Sequence, residues 1–333
     1  MELQKNSHIY DEIKSLLENA RKKVLSTVNS TMTMTYFLIG KKIVEEEQNG
    51  ESRAEYGKEL IKNLAVQLTE EFGKGFSETN LKQMKSFYEA YKISQTLSDQ
   101  FKLSWSHYIT LMRVKNIDER NFYEIESLNN NWSLRELKRQ MDTSLYERLV
   151  LSRDKEEVKA LSIKGQVIEK PKDIIKDPYI LEFLGLEELS NYSENTLETA
   201  IISHIEKFIM ELGKGFLFQG RQVRFTFDEE HFFVDLVFYN RILKCFVIID
   251  LKIGKLKHQD IGQMQMYVNY YDRFVKLPDE NKTIGIIICK DKNDTLVEIT
   301  LPENNEQIFA SRYMTILPSK EELAKIVEEE EKK

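Results

Sequence analysis

The stretch FFVDLVFYNRILKCFVIIDLKIG, residues 232–254, constrains the fold more than any other part of the chain. Two runs of Phe, Val, Ile and Leu separated by a short polar turn read as neighbouring buried strands. Those runs also carry Asp235, Asp250 and Lys252. An isolated ionised carboxylate inside an apolar sheet costs several kcal/mol. The charges therefore belong at strand ends facing a cleft, or beside a cation. In FVIIDLK, Phe246, Ile248, Asp250 and Lys252 share one face because side chains alternate along a strand. The neighbouring strand can bring Asp235 to the same place. Two converging carboxylates repel unless a cation neutralises them, and Mg²⁺ suits a pair of carboxylates with water. The Leu251 carbonyl, between Asp250 and Lys252, is a natural further ligand. Lys252 is then placed to orient water or to offset charge on a phosphate. The plainer reading is a pair of strand-end acids with a lysine neighbour on the surface.

The surrounding sequence divides in two. The first half carries apolar residues at helical spacing: IYDEIKSLLENARKKVLSTVNS, TYFLIGKKIVEEEQ, ELIKNLAVQLTEEFGKGF, SETNLKQMKSFYEAYK, SWSHYITLMRVKN and WSLRELKRQMDTSLYERL. Ser77 and Ser133 stand at N-cap positions, Ser133 with Glu136 three residues on. Between about 150 and 178 the periodicity fades and two prolines appear, which predicts a linker over 151–177. From 178 onward a helix over about 194–212 precedes the strands VRFTF, HFFVDLVFY and KCFVIIDLK. The helix HQDIGQMQMYVNYYDRFV and the strand TIGIIIC follow. That order predicts an α+β chain of two domains: an all-helical domain over 1–150, compatible with helix-turn-helix or winged-helix architecture, and an α/β domain over 178–333. The echo of EEFGKGF (70–76) in MELGKGF (210–216) reads as two helix ends with Gly73 and Gly213 as left-handed caps, not as a duplication.

Composition narrows the class. At 333 residues, 41% hydrophobic and 11% aromatic, the chain supports real cores. Cys245 and Cys289 sit inside apolar runs, as buried thiols in a reducing compartment. No apolar stretch approaches the ~20 residues of a membrane span, and the first residues lack a signal peptide's apolar segment, so a cytoplasmic protein without membrane partners is expected. Net charge is −7, yet residues 1–150 hold 22 basic against 22 acidic residues. The acid excess lies in the second half, partly in the tail IVEEEEKK, read as a solvated helix end. A local basic face counts for more than the sum. Arg135, Lys138 and Arg139 fall at i, i+3 and i+4 and predict one cationic face for phosphates, unless they only solvate an amphipathic helix. Gln219, Arg221 and Gln222, just before VRFTF, are candidates to touch the scissile phosphate, or surface turn residues. Zinc spacing, a phosphate-cradling GxxxxGK[ST] loop and a GxSxG nucleophile elbow are all absent from the sequence.

Asp235, with Asp250-Leu251-Lys252 fifteen positions on, resembles the signature of the PD-(D/E)xK nuclease superfamily. From about residue 30 to 320 the chain resembles the YhcG-like family of bacterial and phage-encoded proteins. The matching stretches include IGKKIVEEEQNGESRAEYGKELIKNLAVQLTEEFGKGF, LETAIISHIEKFIMELGKGFLFQGRQ and FVDLVFYNRILKCFVIIDLKIG. The resemblance implies a helical N-terminal domain, possessing nucleic-acid-binding or oligomerising capacity, and a C-terminal restriction-endonuclease-like domain. It implies a metal-dependent endonuclease that hydrolyses phosphodiester bonds by a metal-activated water. DNA is the expected substrate, Mg²⁺ the expected cofactor and Mn²⁺ its substitute. On this resemblance Asp235 and Asp250 are the motif's acids and Lys252 its lysine. An Asp stands where this family usually has Glu. Glu198 matches the acid on the first core helix, with Glu206 as its competitor. Gln263, sharing a helix face with Tyr267, matches a Gln aimed at the site. The alternatives are a non-catalytic nucleic-acid-binding or assembly module of a defence or repair system, and an RNA nuclease. Homo-oligomers and defence-system proteins are the expected protein partners.

Overall fold

The structure is a computed structural model that describes residues 2–49, 54–92, 101–151, 155–186, 192–227 and 229–317. The acidic tail lies outside them. The chain forms two compact units, Met1–Lys138 and Arg139–Lys333.

The described residues of the first unit are helical, with no strand among them. The helices are α1 (Glu2–Asn49), α2 (Ala54–Phe72), α3 (Glu78–Tyr91), α4 (Trp105–Leu111), α5 (Ile117–Asn129) and the start of α6 (Leu134–Asp142). A helix-turn-helix is therefore compatible with this unit, and a β-wing is not seen. Ser77 caps α3 by accepting the Asn80 N–H at 3.4 Å, and Ser133 caps α6 by accepting that of Glu136 at 3.2 Å. Phe87 centres the core, with rings of Phe37, Tyr91, Phe101, Trp105 and Tyr108 at 4.9–5.7 Å. Tilted and edge-on contacts of this kind suit the aromatic quadrupole. Gly40 lets α1 approach α3 closely: a Cβ there would stand 2.0 Å from the Met84 carbonyl oxygen.

The second unit is a six-stranded mixed sheet between helices. After α7 (Leu145–Leu151) and α8 (Lys155–Lys164) come β1 (Tyr179–Ile180), α9 (Glu194–Ser203), α10 (Ile205–Leu212), β2 (Phe216–Phe227), β3 (Glu230–Asn240) and β4 (Cys245–Lys255). The chain continues through α11 (His258–Tyr270), β5 (Ile284–Asp291), α12 (Asp294–Thr300) and β6 (Ile308–Met314). Strand order is β1-β6-β5-β4-β3-β2, parallel from β1 to β4 and antiparallel from β4 to β2. One face packs Val247, Ile249 and Leu251 against Leu197, Ile201 and Phe208 of α9 and α10. The other packs Ile248 and Ile287 against Ile261, Met264 and Val268 of α11. The opposite placement of Ile248 and Ile249 is the strand alternation expected of a sheet covered on both sides.

Three expectations need correction. The single helix over 194–212 breaks at His204, whose backbone leaves helical angles between α9 and α10. Gly73 (φ 91°, ψ −175°) and Gly213 (φ 109°, ψ −146°) are not left-handed helical caps. They occupy the extended positive-φ region, which only glycine enters without strain. The stretch expected as a linker, 151–177, is largely built into the second unit, which begins at Arg139 inside α6. Leu161, Ile174, Ile175 and Lys176 are buried there. Arg148 is also buried and donates to Glu211 Oε1 at 2.5 Å, to the Pro178 carbonyl at 3.0 Å and to the Thr143 carbonyl at 2.9 Å.

Candidate active site

The site grows from a fork between β3 and β4. Their paired register runs from Asn240↔Cys245 to Leu236↔Ile249 and stops there. Beyond that pair the Asp235 carboxylate accepts the Leu251 N–H at 2.9 Å, doing what a strand carbonyl does further back. Asp235 is thus fixed beside Asp250-Leu251-Lys252. Asp250 is 2% exposed, and the Lys252 ammonium lies 2.8 Å from its Oδ2 and 3.9 Å from Glu194 of α9. The shared face expected of Asp250 and Lys252 is what lets their heads meet. Asp250 Oδ2 nonetheless meets no hydrogen-bonding geometry. The Lys252 contact is close but misdirected for a hydrogen bond, so it holds that buried oxygen as an ion pair.

Glu198, on α9, is 4% exposed and reaches the same place through Gln222. The Gln222 amide donates to Glu198 at 2.5 Å and to Asp235 at 3.0 Å. Two carboxylate acceptors require the NH₂ end of the amide to face them. Gln222 holds φ at 46°, a conformation that costs a non-glycine residue roughly 1 kcal/mol or more. Gln219 stands at a register shift between Phe218 and Gly220 on the same strand. Glu206 is exposed on α10, beyond the break at His204. Of the two acids weighed, the structure brings Glu198 to the cluster.

Electrostatics follow from this packing. Burial raises Asp250 to about 7, with Lys252 opposing and Asp235 reinforcing the shift. Burial also raises Glu198, opposed by the Gln222 hydrogen bond and the Arg221 charge and reinforced by Asp235. For Lys252 burial acts downward, but the negative charge of Asp250, with those of Glu194 and Asp235 added, outweighs it and the net shift is upward. On α11, Gln263 donates to the Tyr267 hydroxyl at 2.5 Å, which donates to the Phe233 carbonyl of β3 at 2.9 Å. Burial raises Tyr267, and the charges of Asp250 and Asp235 add to that. Gln263 is therefore anchored beside the site through Tyr267.

The other candidates separate. Arg221 is exposed on β2 and its charge is felt at Glu198. Gln222, expected to touch phosphate, has its amide committed to the two carboxylates. Arg139 leaves the expected cationic face: it lies 3.5 Å from Glu182 and 3.7 Å from Glu211, over the Phe183 ring. Arg135 and Lys138 remain exposed. The sequence reading missed two contacts, Glu194 beside Lys252 and the Gln222 bridge; neither a strained φ nor a partner from another helix leaves a local sequence signal.

The donor chemistry of Asp235, Asp250 and Glu198 fits a hard divalent cation, which takes oxygen ligands. Asp250 Oδ2 is a buried carboxylate oxygen held by the Lys252 ion pair and by no hydrogen bond, a donor such an ion would also take. No group of three or more His, Cys, Asp or Glu stands in metal-holding geometry among the described residues. The Gln222 amide between Glu198 and Asp235, and Lys252 against Asp250, occupy the intervening positions. Among the described residues, no helix is long and apolar enough to cross a membrane.

Comparison with known proteins agrees with this picture. The family model of the YhcG PDDEXK nuclease domain matches residues 172–328, and that of the DUF1016 N-terminal domain matches residues 12–148. "Putative nuclease YhcG" of Escherichia coli (strain K12) is 40% identical over 346 residues, covering 95% of this chain and 92% of that protein. Among solved structures, a repair endonuclease from Pyrococcus abyssi is 16% identical over 37% of this chain, with TM-score 0.25. EndoMS in apo form is 16% identical over 39%, also with TM-score 0.25. The matches span about half of each of those solved chains, 48% and 49%. The fork of β3 and β4, its two aspartates and lysine, and the two family matches that together take in most of the sequence lead to one assignment: the chain belongs to the YhcG family, a DUF1016 N-terminal domain followed by a PDDEXK nuclease domain.

Proposed function

We propose that this protein is a divalent-cation-dependent endonuclease that hydrolyses phosphodiester bonds, with DNA as substrate. The observation that carries the reading is the buried Asp250–Lys252 ion pair beside Asp235. Asp235 and Asp250 would hold Mg²⁺, or Mn²⁺ in its place, with the Leu251 backbone and Glu198 completing the shell. Bound there, the ion supplies charge neutralisation and a lowered pKa for a coordinated water. Lys252 keeps a positive charge next to Asp250, where it orients the attacking water or offsets charge on the phosphate. The Leu251 N–H fixes the Asp235 carboxylate, so one acid is oriented before any ligand arrives. Gln222 spaces Glu198 from Asp235 and relieves their repulsion in the cation-free protein. Arg221, exposed and with its charge felt at Glu198, would contact the scissile strand.

The test is to incubate the purified chain with supercoiled plasmid, branched DNA, single-stranded DNA and RNA, each with Mg²⁺, Mn²⁺ or EDTA. Cleavage of DNA with either cation and none in EDTA is expected. Cleavage of RNA alone would reassign the substrate, and no cleavage of any substrate would remove the catalytic reading.

Arg135 and Lys138 are proposed to bind phosphates. Replacing both with Ala should weaken DNA binding and lower the slope of log K against log salt by up to about 0.9 for each phosphate no longer neutralised. Fluorescence anisotropy across a salt series reads this directly. An unchanged slope would return both residues to a solvated face.

A further inference from the structure

We propose that the N-terminal part of α1 is a self-association surface whose occupant is the same helix of a second copy of this chain. The proposal is independent of the nuclease reading. Over residues 9–29 of α1, every residue whose side chain is described is exposed. Further along the same helix, Phe37, Ile43 and Val44 are buried in the core of the first unit. The exposed part is not polar. Ile9, Ile13, Leu16, Leu17, Val24 and Val28 are each 51–69% exposed. Three pairs of positions, Ile9 and Ala20, Ile13 and Val24, and Leu17 and Val28, are eleven residues apart. Eleven residues close three helical turns almost without drift, so the apolar stripe runs nearly along the axis and can meet a partner over its whole length.

The helix itself needs such a partner. Within the exposed span, Ile9, Ile13, Val24, Thr27 and Val28 are β-branched, each a weaker helix former than Ala by roughly half a kcal/mol. Helices without tertiary packing are marginal in water, and here packing within the chain begins only near Thr33.

Area and charge identify the partner. With half to two-thirds of each side chain accessible, the stripe offers roughly 600 Å² per copy, about 1,200 Å² for a pair, the lower end of the range for a stable interface. Around it, residues 9–29 carry Asp11, Glu12 and Glu18 against Lys14, Arg21, Lys22 and Lys23. That mixed face lacks the strong basic bias of helices that bind anionic lipid or nucleic acid. The same span has a single aromatic residue, Tyr10, and no Trp or Phe, a sparse set for a membrane interface. A mixed-charge helix with a continuous apolar stripe suits an identical helix.

The test uses the full chain. Sedimentation velocity at micromolar concentration should give twice the 39.4 kDa chain mass. The double variant Ile13→Glu/Leu17→Glu should sediment at the single-chain mass while the second unit keeps its melting transition. An Ala20→Cys variant supplies a second reading that does not depend on the stability of the Glu variant. Ala20 lies near the middle of the stripe, so it meets its counterpart in a parallel or an antiparallel pair. The native Cys245 and Cys289 are buried. A short bis-maleimide should link Ala20→Cys chains into a species of double mass, and adding the two Glu substitutions should abolish that product. A wild-type chain of single mass overturns the proposal, as does a double Glu variant that keeps the double mass. A single-mass wild type that co-floats with phosphatidylglycerol vesicles would assign the stripe to a membrane surface instead.

Discussion

Asp250→Asn is expected to reduce cleavage by about 10²–10³-fold and, in EDTA, to raise the melting temperature above neutral pH. The first effect follows from removing one of two acids proposed to hold the cation. The second follows from burial. The carboxyl of Asp250, near 3.8 in the unfolded chain, sits at about 7 in the fold. An acid with a raised folded pKa favours folding most below its unfolded value. Its contribution is lost as pH rises from about 4 through 7, a loss on the order of a few kcal/mol. A neutral Asn does not ionise, so the variant's stability should decline less over that window. Lys252 loses a partner in the variant but keeps Glu194 at 3.9 Å, so the relief of burial should dominate. Thermal melts from pH 4 to 9 in EDTA, beside a cleavage assay, check both effects. A variant that melts below wild type at every pH would make Asp250 a structural acid. Lys252→Met is expected to keep cation binding and lose the chemical step.

Glu211→Ala should be the most damaging single change to stability. Glu211 is fully buried with Arg148, accepts the Ile180 N–H at 3.0 Å, and its own carbonyl accepts from Lys176. Burial pushes its carboxyl up, but Arg148 and Lys176 outweigh that and hold it below the usual carboxylate range. Removing one member of a buried pair strands the others as uncompensated charges, at about 3–5 kcal/mol. On a unit of this size that lowers the melting temperature by roughly 10 °C. Calorimetry on the full chain reads it in the transition of the second unit. Because a depressed carboxyl stabilises above its unfolded pKa, wild type should also lose this contribution as pH falls below about 4.5. A shift of less than a degree in the variant would mean that water satisfies Arg148 and Lys176.

The chemistry-bearing strands were legible because buried strands read as apolar runs and their parity fixes which charges meet. That logic put Asp250 and Lys252 together, and they touch. It could not supply Gln222, because a residue held at positive φ by two carboxylates looks like any polar turn residue. The break at His204 was hidden because the apolar spacing continues through it. Strand β6 was missed since Ser311 and Arg312 interrupt its apolar pattern, and β1 has only two residues. Residues 151–177 looked like a linker because short elements anchored by Asp173 and Lys176 have no hydrophobic period. Asp173 accepts the N–H groups of Glu169 and Lys170 at 2.9 Å each, a turn built by a charged residue. Arg139 misled for the same reason, since a charge paired with Glu182 and Glu211 looks in sequence like one facing solvent.

The most direct measurement is the melting temperature of wild type, Asp235→Asn and Asp250→Asn across a Mn²⁺ and Mg²⁺ titration. A ligand stabilises only the state that binds it, by RT ln(1 + [L]/Kd), so a hundredfold excess over Kd adds about 2.7 kcal/mol. Wild type should show a saturable rise with either cation, and both Asn variants should lose most of it while staying folded. A wild type with no cation-dependent shift, together with Asn variants that melt well below it in every condition, would contradict the assignment of these carboxylates to a cation site.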